Sequence, residues 1–192
     1  MVSLSVIIPT CGRTTLERTL RSILMAGIRS EDEVLVVGDG PQPVAQAIVR
    51  RWKYRLPISY LETPQTRCAG HVQRNEAVQI AKGSHLISID DDDTYRPHAL
   101  RTVRKAAAEA PDRFLIFRMQ SHTPRHPWGT LWNYKGASLG NVGTPMMVAP
   151  NVPAKLGKWG NRYAGDFDFL ESTLAYYPEG PVWIEDVIVD VY

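Results

Sequence analysis

Four short apolar runs, Leu4 to Ile8, Glu33 to Val37, Ile58 to Leu61 and Leu86 to Ile89, each stop at a proline, a glycine or a carboxylate. Helical spacings fill the gaps between them. β-branched runs of this length between breakers read as buried strands. Their alternation with helices predicts an α/β fold, a mainly parallel, doubly wound sheet in a single domain. In such sheets ligands bind in the crevice outside the carboxyl ends of the strands. Pro9-Thr10, Asp39 and Asp90 to Asp93 all fall at such ends, so residues far apart in sequence are expected to converge there.

The helical signals are local and specific. Thr14-Thr15-Leu16-Glu17 reads as a capping box, followed by one apolar face at Leu16, Leu20, Ile23 and Leu24 that Gly27 ends. Val44, Ile48 and Trp52 space a second helix, and a third is expected from about Ala69 to Gly83. Pro97 opens a fourth, carrying Leu100, Val103 and Ala107, and Phe114 to Met119 reads as the next strand. From Ser121 to Arg162 the text turns rich in Gly, Pro, Trp and Asn, around one apolar run at Met146 to Ala149. This part is expected to form irregular excursions from the same domain, of the kind that carry specificity.

Composition narrows the function classes. The 192 residues are 44% hydrophobic and 22% charged, as in a folded globular domain. A net charge of +2 gives no general argument for nucleic acid binding. The basic stretch Arg50 to Arg55 reads as a solvated helix end. Two cysteines, Cys11 and Cys68, are too few for a disulfide framework. No apolar run reaches the length needed to span a bilayer, and Arg13 interrupts any leader-like segment. The expectation is a cytoplasmic protein with no integral membrane segment.

Asp90 to Asp93 follow directly on Leu86-Ile87-Ser88-Ile89. Four adjacent carboxylates repel one another unless a cation or solvent relieves them. Hard divalent ions suit carboxylate oxygens, and Mg²⁺ commonly takes one or two of them with phosphate oxygens and waters. The segment therefore predicts a metal site for a phosphorylated ligand. The competing structural reading is an acidic turn in which Asp93 or Thr94 caps the next helix.

The ordered set Ser5-Val6-Ile7-Ile8-Pro9-Thr10, Glu33 to Gly40, Gly70 with Arg74-Asn75-Glu76-Ala77, Ala81-Lys82-Gly83, Ile89 to Asp93, Gly165-Asp166-Phe167-Asp168 and Val182 to Glu185 resembles family 2-like glycosyltransferases of the GT-A fold. The resemblance covers nearly the whole chain. It implies a metal-dependent, inverting transfer of sugar from a nucleotide-diphosphate sugar, most readily a UDP-sugar, to an acceptor hydroxyl. It implies a nucleotide-sugar-binding half over about residues 1–95 and an acceptor-binding half over about 96–192. By the same resemblance Pro9, Thr10, Asp39, Arg74, Asp90 and Asp91 bind the nucleotide sugar, Asp92 holds Mn²⁺ or Mg²⁺, and Asp166 is the general base. Two positions depart from the family pattern. Gly38 stands where a first aspartate is usual, and Gly165 where a glutamate precedes the base.

Other residues and readings compete. His126, Trp128, Trp132 and Asp168 are candidates to meet the acceptor, which the sequence leaves open between a saccharide, a lipid-linked sugar, a protein and a modified nucleobase. His122 could reach the metal, and Trp159 could lie as a lid on the core. Asp90-x-Asp92-x-Thr94 with Lys155 and Gly165-Asp166-x-Asp168 also resembles the motifs of haloacid dehalogenase-type phosphatases. There the motif ends the first strand, whereas three strands precede it here. A nucleotide-sugar-binding domain without chemistry is the remaining alternative, motivated by Gly38 and Gly165.

Overall fold

The computed structural model describes residues 1–123 and 130–192. Its elements run β1 (Leu4–Thr10), α1 (Leu16–Ala26), β2 (Glu33–Asp39), α2 (Pro43–Trp52), β3 (Ile58–Thr63), α3 (His71–Ile80), β4 (His85–Ser88), β5 (Thr94–Tyr95), α4 (Ala99–Glu109), β6 (Leu115–Ser121), β7 (Thr130–Leu131), β8 (Met147–Pro150), α5 (Gly165–Leu174) and β9 (Val182–Val191). All strands join one sheet in the order β3-β2-β1-β4-β8-β6-β9-β5, with β7 paired to β6. The expected α/β fold is present. β3, β2, β1 and β4 are parallel neighbours, and β8 then runs antiparallel between β4 and β6.

The core follows the apolar runs. β1 is buried along its whole length, as are Val34 to Val37 of β2. A strand covered on both faces buries alternate side chains against different helices, each large one stabilising by about 1.5–3 kcal/mol. Leu16, Leu20 and Ile23 present one face of α1 to this sheet, and Gly27 ends the helix in the left-handed conformation with φ 96°.

The capping box does not form. The α1 N-terminus has no side-chain cap, and Glu17 instead accepts hydrogen bonds from Trp52 Nε1 (2.8 Å) and Arg51 (2.9 Å) of α2. Two partners on a neighbouring helix outbid one local backbone N–H. α4 likewise begins at Ala99 behind a left-handed His98, so neither Asp93 nor Thr94 caps it. The acidic turn is thereby released from the structural role that competed with ligand binding.

Candidate active site

β1 and β4 are adjacent and parallel, with Ile7 opposite Ser88, so their carboxyl ends deliver Pro9-Thr10 and the aspartate turn to one place. β2 pairs with the other side of β1 and brings Asp39 alongside. Between them opens a cleft of about 650 Å³ lined by Pro9, Thr10, Asp39, Gln73, Asp90 and Asp91, among others. Five of the expected donor-binding residues thus line one cleft.

The four aspartates separate into different environments. Asp90 is half exposed and pairs with Arg74. Asp91 is buried, accepts from Thr10 Oγ1 at 2.6 Å and pairs with Arg13 at 3.1 Å. Burial raises its proton affinity, opposed by those two partners. Asp92 is partly exposed and joined to the half-exposed Arg13 guanidinium. Asp93 is buried and its carboxyl is pushed up to about 8 by burial and by Asp90, against the Tyr192 N–H that donates to it at 3.0 Å. Only Asp90 and Asp92 face outward.

Arg74 is a fully buried guanidinium with a complete set of neighbours. Its Nε donates to Ser88 Oγ at 3.1 Å, Nη1 to the Ala69 carbonyl at 2.9 Å and Nη2 to Asp90. Ser88 Oγ donates on to the Ile7 carbonyl at 3.0 Å. A planar fork fixed at three points aims the Asp90 carboxylate.

Asp39 organises the opposite wall. Its oxygens accept from Thr66 N (2.6 Å), Arg67 N (2.8 Å) and Gln73 Nε2 (2.9 Å). These bonds hold the loop before α3, where Arg67 and Ala69 adopt left-handed φ of 52° and 48°. Each such non-glycine residue stores about 1–2 kcal/mol of strain, which the Asp39 and Arg74 bonds offset.

The two departures from the family pattern have physical counterparts. A Cβ at Gly38 would lie 2.6 Å from the Tyr60 hydroxyl and 2.8 Å from the Gly40 carbonyl. At Gly165 it would lie 2.4 Å from the Gly160 carbonyl and 2.7 Å from His71 Cδ2. Neither position has room for an acidic side chain.

Asp166 sits in the first turn of α5, where Phe167 N donates to it at 2.8 Å. Burial raises its proton affinity, while the Phe167 N–H, His71 and Arg74 oppose the rise. Its charge therefore interacts with the same arginine that holds Asp90. Asp168 is turned away. Its carboxylate is gripped by Arg162 through Nε and Nη2 and held below the usual range by that bond.

The aromatic acceptor candidates fare differently. Trp132 is buried, edge-on to Trp183 at 5.2 Å between ring centres, with the Arg118 guanidinium 5.2 Å from its ring. It packs the core and is not presented to an acceptor, because an indole gains more from burial than a loop position suggests. His126 and Trp128 lie outside the described residues. His122 bonds Asp190 at 2.9 Å and stacks on Tyr192, which accounts for it without a metal. Trp159 does lie over the core, stacked on Phe169 at 3.6 Å.

Three residues enter that the sequence did not single out. Arg13 bridges Asp91 and Asp92, Gln73 ties Asp39 to Thr63, and His71 adjoins Asp166. Only Arg13 carried a signal, as a lone cation three residues beyond a strand end.

Among the described residues no three acidic, histidine or cysteine side chains converge into a closed metal cage. A Mg²⁺ or Mn²⁺ ion shared with a diphosphate needs only one or two carboxylates. Asp92, outward-facing and held by a half-exposed arginine, fits that requirement.

A sheet of this order with an acidic turn at its carboxyl edge defines a nucleotide-diphospho-sugar transferase fold of the GT-A type. The fold matches the crystal structure of S. aureus TarS with a TM-score of 0.79 at 17% identity, covering 98% of this chain and 36% of that one. It matches TarS 1-349 in complex with UDP-GlcNAc at 0.78 and 18%, covering 98% and 58%. The mannosyltransferase PcManGT from Pyrobaculum calidifontis, in complex with GDP-Man and Mn²⁺, matches at 0.69 and 19%, covering 96% and 54%. In sequence, the "Uncharacterized glycosyltransferase MG025 homolog" of Mycoplasma pneumoniae is 32% identical over 103 residues, 52% of this chain and 34% of that protein. The chain thus spans about a third of that curated relative.

Residues 5–154 match the model of glycosyl transferase family 2, and the chain belongs to that family. The aspartate turn follows the fourth strand, so the haloacid dehalogenase reading is set aside.

Proposed function

We propose that the protein is a metal-dependent, inverting glycosyltransferase that moves a sugar from a nucleotide-diphosphate sugar, UDP-linked, onto an acceptor hydroxyl. The observation that carries this reading is the cleft itself: Asp39, Asp90 and Asp91 line it, with Asp92 in the same turn. The relatives with UDP-GlcNAc and GDP-Man bound share this fold.

Each residue has a role in that reading. Pro9, Thr10 and Asp39 shape the nucleotide end, Thr10 by holding Asp91 and Asp39 by holding the loop at 66–67. Asp90, aimed by Arg74, accepts hydrogen bonds from the donor's ribose or sugar hydroxyls. Asp92 is the residue that would hold Mn²⁺ or Mg²⁺, and a bound ion would supply positive charge against the departing diphosphate. Asp166, with its proton affinity raised by burial, takes the proton of the attacking acceptor hydroxyl. One base acting on the face opposite the leaving group inverts the anomeric carbon. Residues of about 1–95 serve the donor and those of about 96–192 the acceptor.

The acceptor is a saccharide, protein or modified nucleobase presented without a membrane span of this chain, since no helix among the described residues is long and apolar enough to cross one. This fits cytoplasmic work. The alternative of a binding domain without chemistry draws on the occupied spaces at Gly38 and Gly165.

Calorimetry with UDP tests the reading. Binding should be weak with chelator and strengthen with Mn²⁺, and Asp92→Ala should remove that gain far more than Asp93→Ala. Equal affinity with and without chelator would remove the metal assignment. Binding without turnover across a panel of UDP- and GDP-sugars would favour the inactive domain.

A further inference from the structure

Three successive residues of α3 hold three different parts of the site. Gln73 Nε2 donates to Asp39 at the end of β2 and to Thr63 Oγ1 at the end of β3, at 2.9 and 2.8 Å. Arg74 holds Asp90 in the turn after β4. Asn75 reaches a segment far away in sequence: its Nδ2 donates to the Trp159 carbonyl at 2.8 Å, and Trp159 N donates to its Oδ1 at 3.0 Å. Consecutive side chains on a helix point about 100° apart, so one turn of α3 can serve all three. The donor cleft accounts for Gln73 and Arg74, and leaves Asn75 without a role.

The pair of bonds is specific to an amide. One side chain satisfies both main-chain polar groups of Trp159, as a neighbouring strand would. An amide carries its donor and its acceptor on separate atoms of one plane, whereas a carboxylate of the same shape has no donor. Trp159 needs the pairing because it is the one buried residue between Leu156 and Ala164, and a buried peptide group left unpaired is costly.

From Trp159 the path to Asp166 is short. The indole stacks on Phe169 of α5, and Gly157 N donates to Thr173 Oγ1 of the same helix at 3.0 Å. Arg162 Nε donates to Asp168 at 2.8 Å. Gly160 sets its carbonyl against Gly165, the first residue of α5, where a Cβ has no room. Gly165 N in turn donates to the Arg162 carbonyl at 3.0 Å. The loop is thus closed onto the start of α5 along its whole length, and Asn75 ties its main chain to α3.

We propose that Asn75 is a positioning residue for Asp166: it clamps the main chain of Trp159, the clamped loop sets the first turn of α5, and that turn carries the carboxylate. α3 then fixes the span between the donor walls, held by Gln73 and Arg74, and the group that takes the acceptor's proton. This rests on Asp166 being the base. Asn75 touches neither substrate, so its loss should misplace the base without loosening the donor.

Hydrogen–deuterium exchange and kinetics on the full chain test it. In Asn75→Ala, peptides covering residues 157–166 should exchange about fivefold faster than in the wild type, the effect of one lost hydrogen bond, while those over β1, β2 and β4 stay unchanged. The kinetic probe is Mn²⁺-dependent hydrolysis of whichever UDP- or GDP-sugar the wild type cleaves fastest. Its kcat should fall about ten- to a hundredfold, the scale of a 1 Å misplacement, with UDP affinity within about twofold. Asn75→Asp keeps the side-chain volume but sets an oxygen against the Trp159 carbonyl, and should lower kcat likewise. Asn75→Ala combined with Asp166→Asn should be no slower than Asp166→Asn alone, since a carboxylate already removed cannot be misplaced. Unchanged exchange at 157–166 in both Asn75 variants overturns the clamp. UDP affinity that falls in step with kcat, or losses that multiply in the double variant, overturn the positioning role. Turnover that survives Asp166→Asn overturns the base assignment and this proposal with it, and the exchange result tells that failure from failure of the clamp.

Discussion

Thr10 Oγ1 donates a 2.6 Å hydrogen bond to Asp91 Oδ2, joining residues 81 positions apart and turning the second aspartate back beneath β1. The hydroxyl is spent on the protein, and the same oxygen accepts from Gly12 N at 3.0 Å. Thr10→Val keeps the shape and removes both bonds. It should cost about 1–3 kcal/mol of stability in urea denaturation without ligand. Unchanged stability with weakened UDP binding would return the hydroxyl to direct ligand contact.

Asp166→Asn should leave UDP affinity within about twofold of wild type and lower turnover by about 10²–10⁴, the range for losing acid–base help. Asp168→Asn should do far less to turnover, because Arg162 already holds that carboxylate. Steady-state rates on both variants check the assignment, and a reversed order would move the base by two residues.

Trp132→Ala should act on the fold. Removing a buried indole packed against Trp183 should cost about 3–5 kcal/mol, read as a lower denaturation midpoint. A variant of near wild-type stability with a raised acceptor KM would restore Trp132 to the acceptor side.

His85 sets a pH limit on stability. Its ring is buried between Ser84 Oγ (3.0 Å) and the Pro111 carbonyl (3.2 Å), and burial depresses its proton affinity. The unfolded chain then protonates first, so stability is full above about pH 6.5 and falls as pH drops toward the depressed folded value. His85→Gln should flatten that decline in thermal melts taken between pH 7 and 5. An unchanged slope would assign the acid sensitivity elsewhere.

The half of the fold built from β1 to β4 was legible because each strand is an apolar run stopped by a residue with its own job. Asp39 and Asp90 announce themselves that way. The later sheet was hidden. β8 inserts antiparallel between β4 and β6, and β9 runs parallel to β6 through two register shifts, pairings that no local pattern encodes. The aspartate quartet was visible as a cluster, but its division into inward and outward members depends on Thr10, Arg13 and Tyr192. Those partners arrive only when distant strands become neighbours. His71 escaped notice for a related reason: a histidine one residue past a glycine is unremarkable until α5 closes against it.

Gly38 and Tyr60 occupy one volume between them. An aspartate introduced at 38 meets the phenol oxygen first, so a single-site scan would score the position as intolerant of any side chain. Paired with Tyr60→Phe, the same substitution still meets the Gly40 carbonyl at 2.8 Å and Gln42 Cγ at 3.2 Å, while Gln42 N loses the acceptor it has at 3.1 Å. The two changes are therefore epistatic, each harmful alone and less so together, and their cycle should depart from additivity by about 0.5–3 kcal/mol. A lineage passing between the one-aspartate and two-aspartate forms of this strand end would have to adjust both the neighbouring strand at Tyr60 and the turn at Gly40.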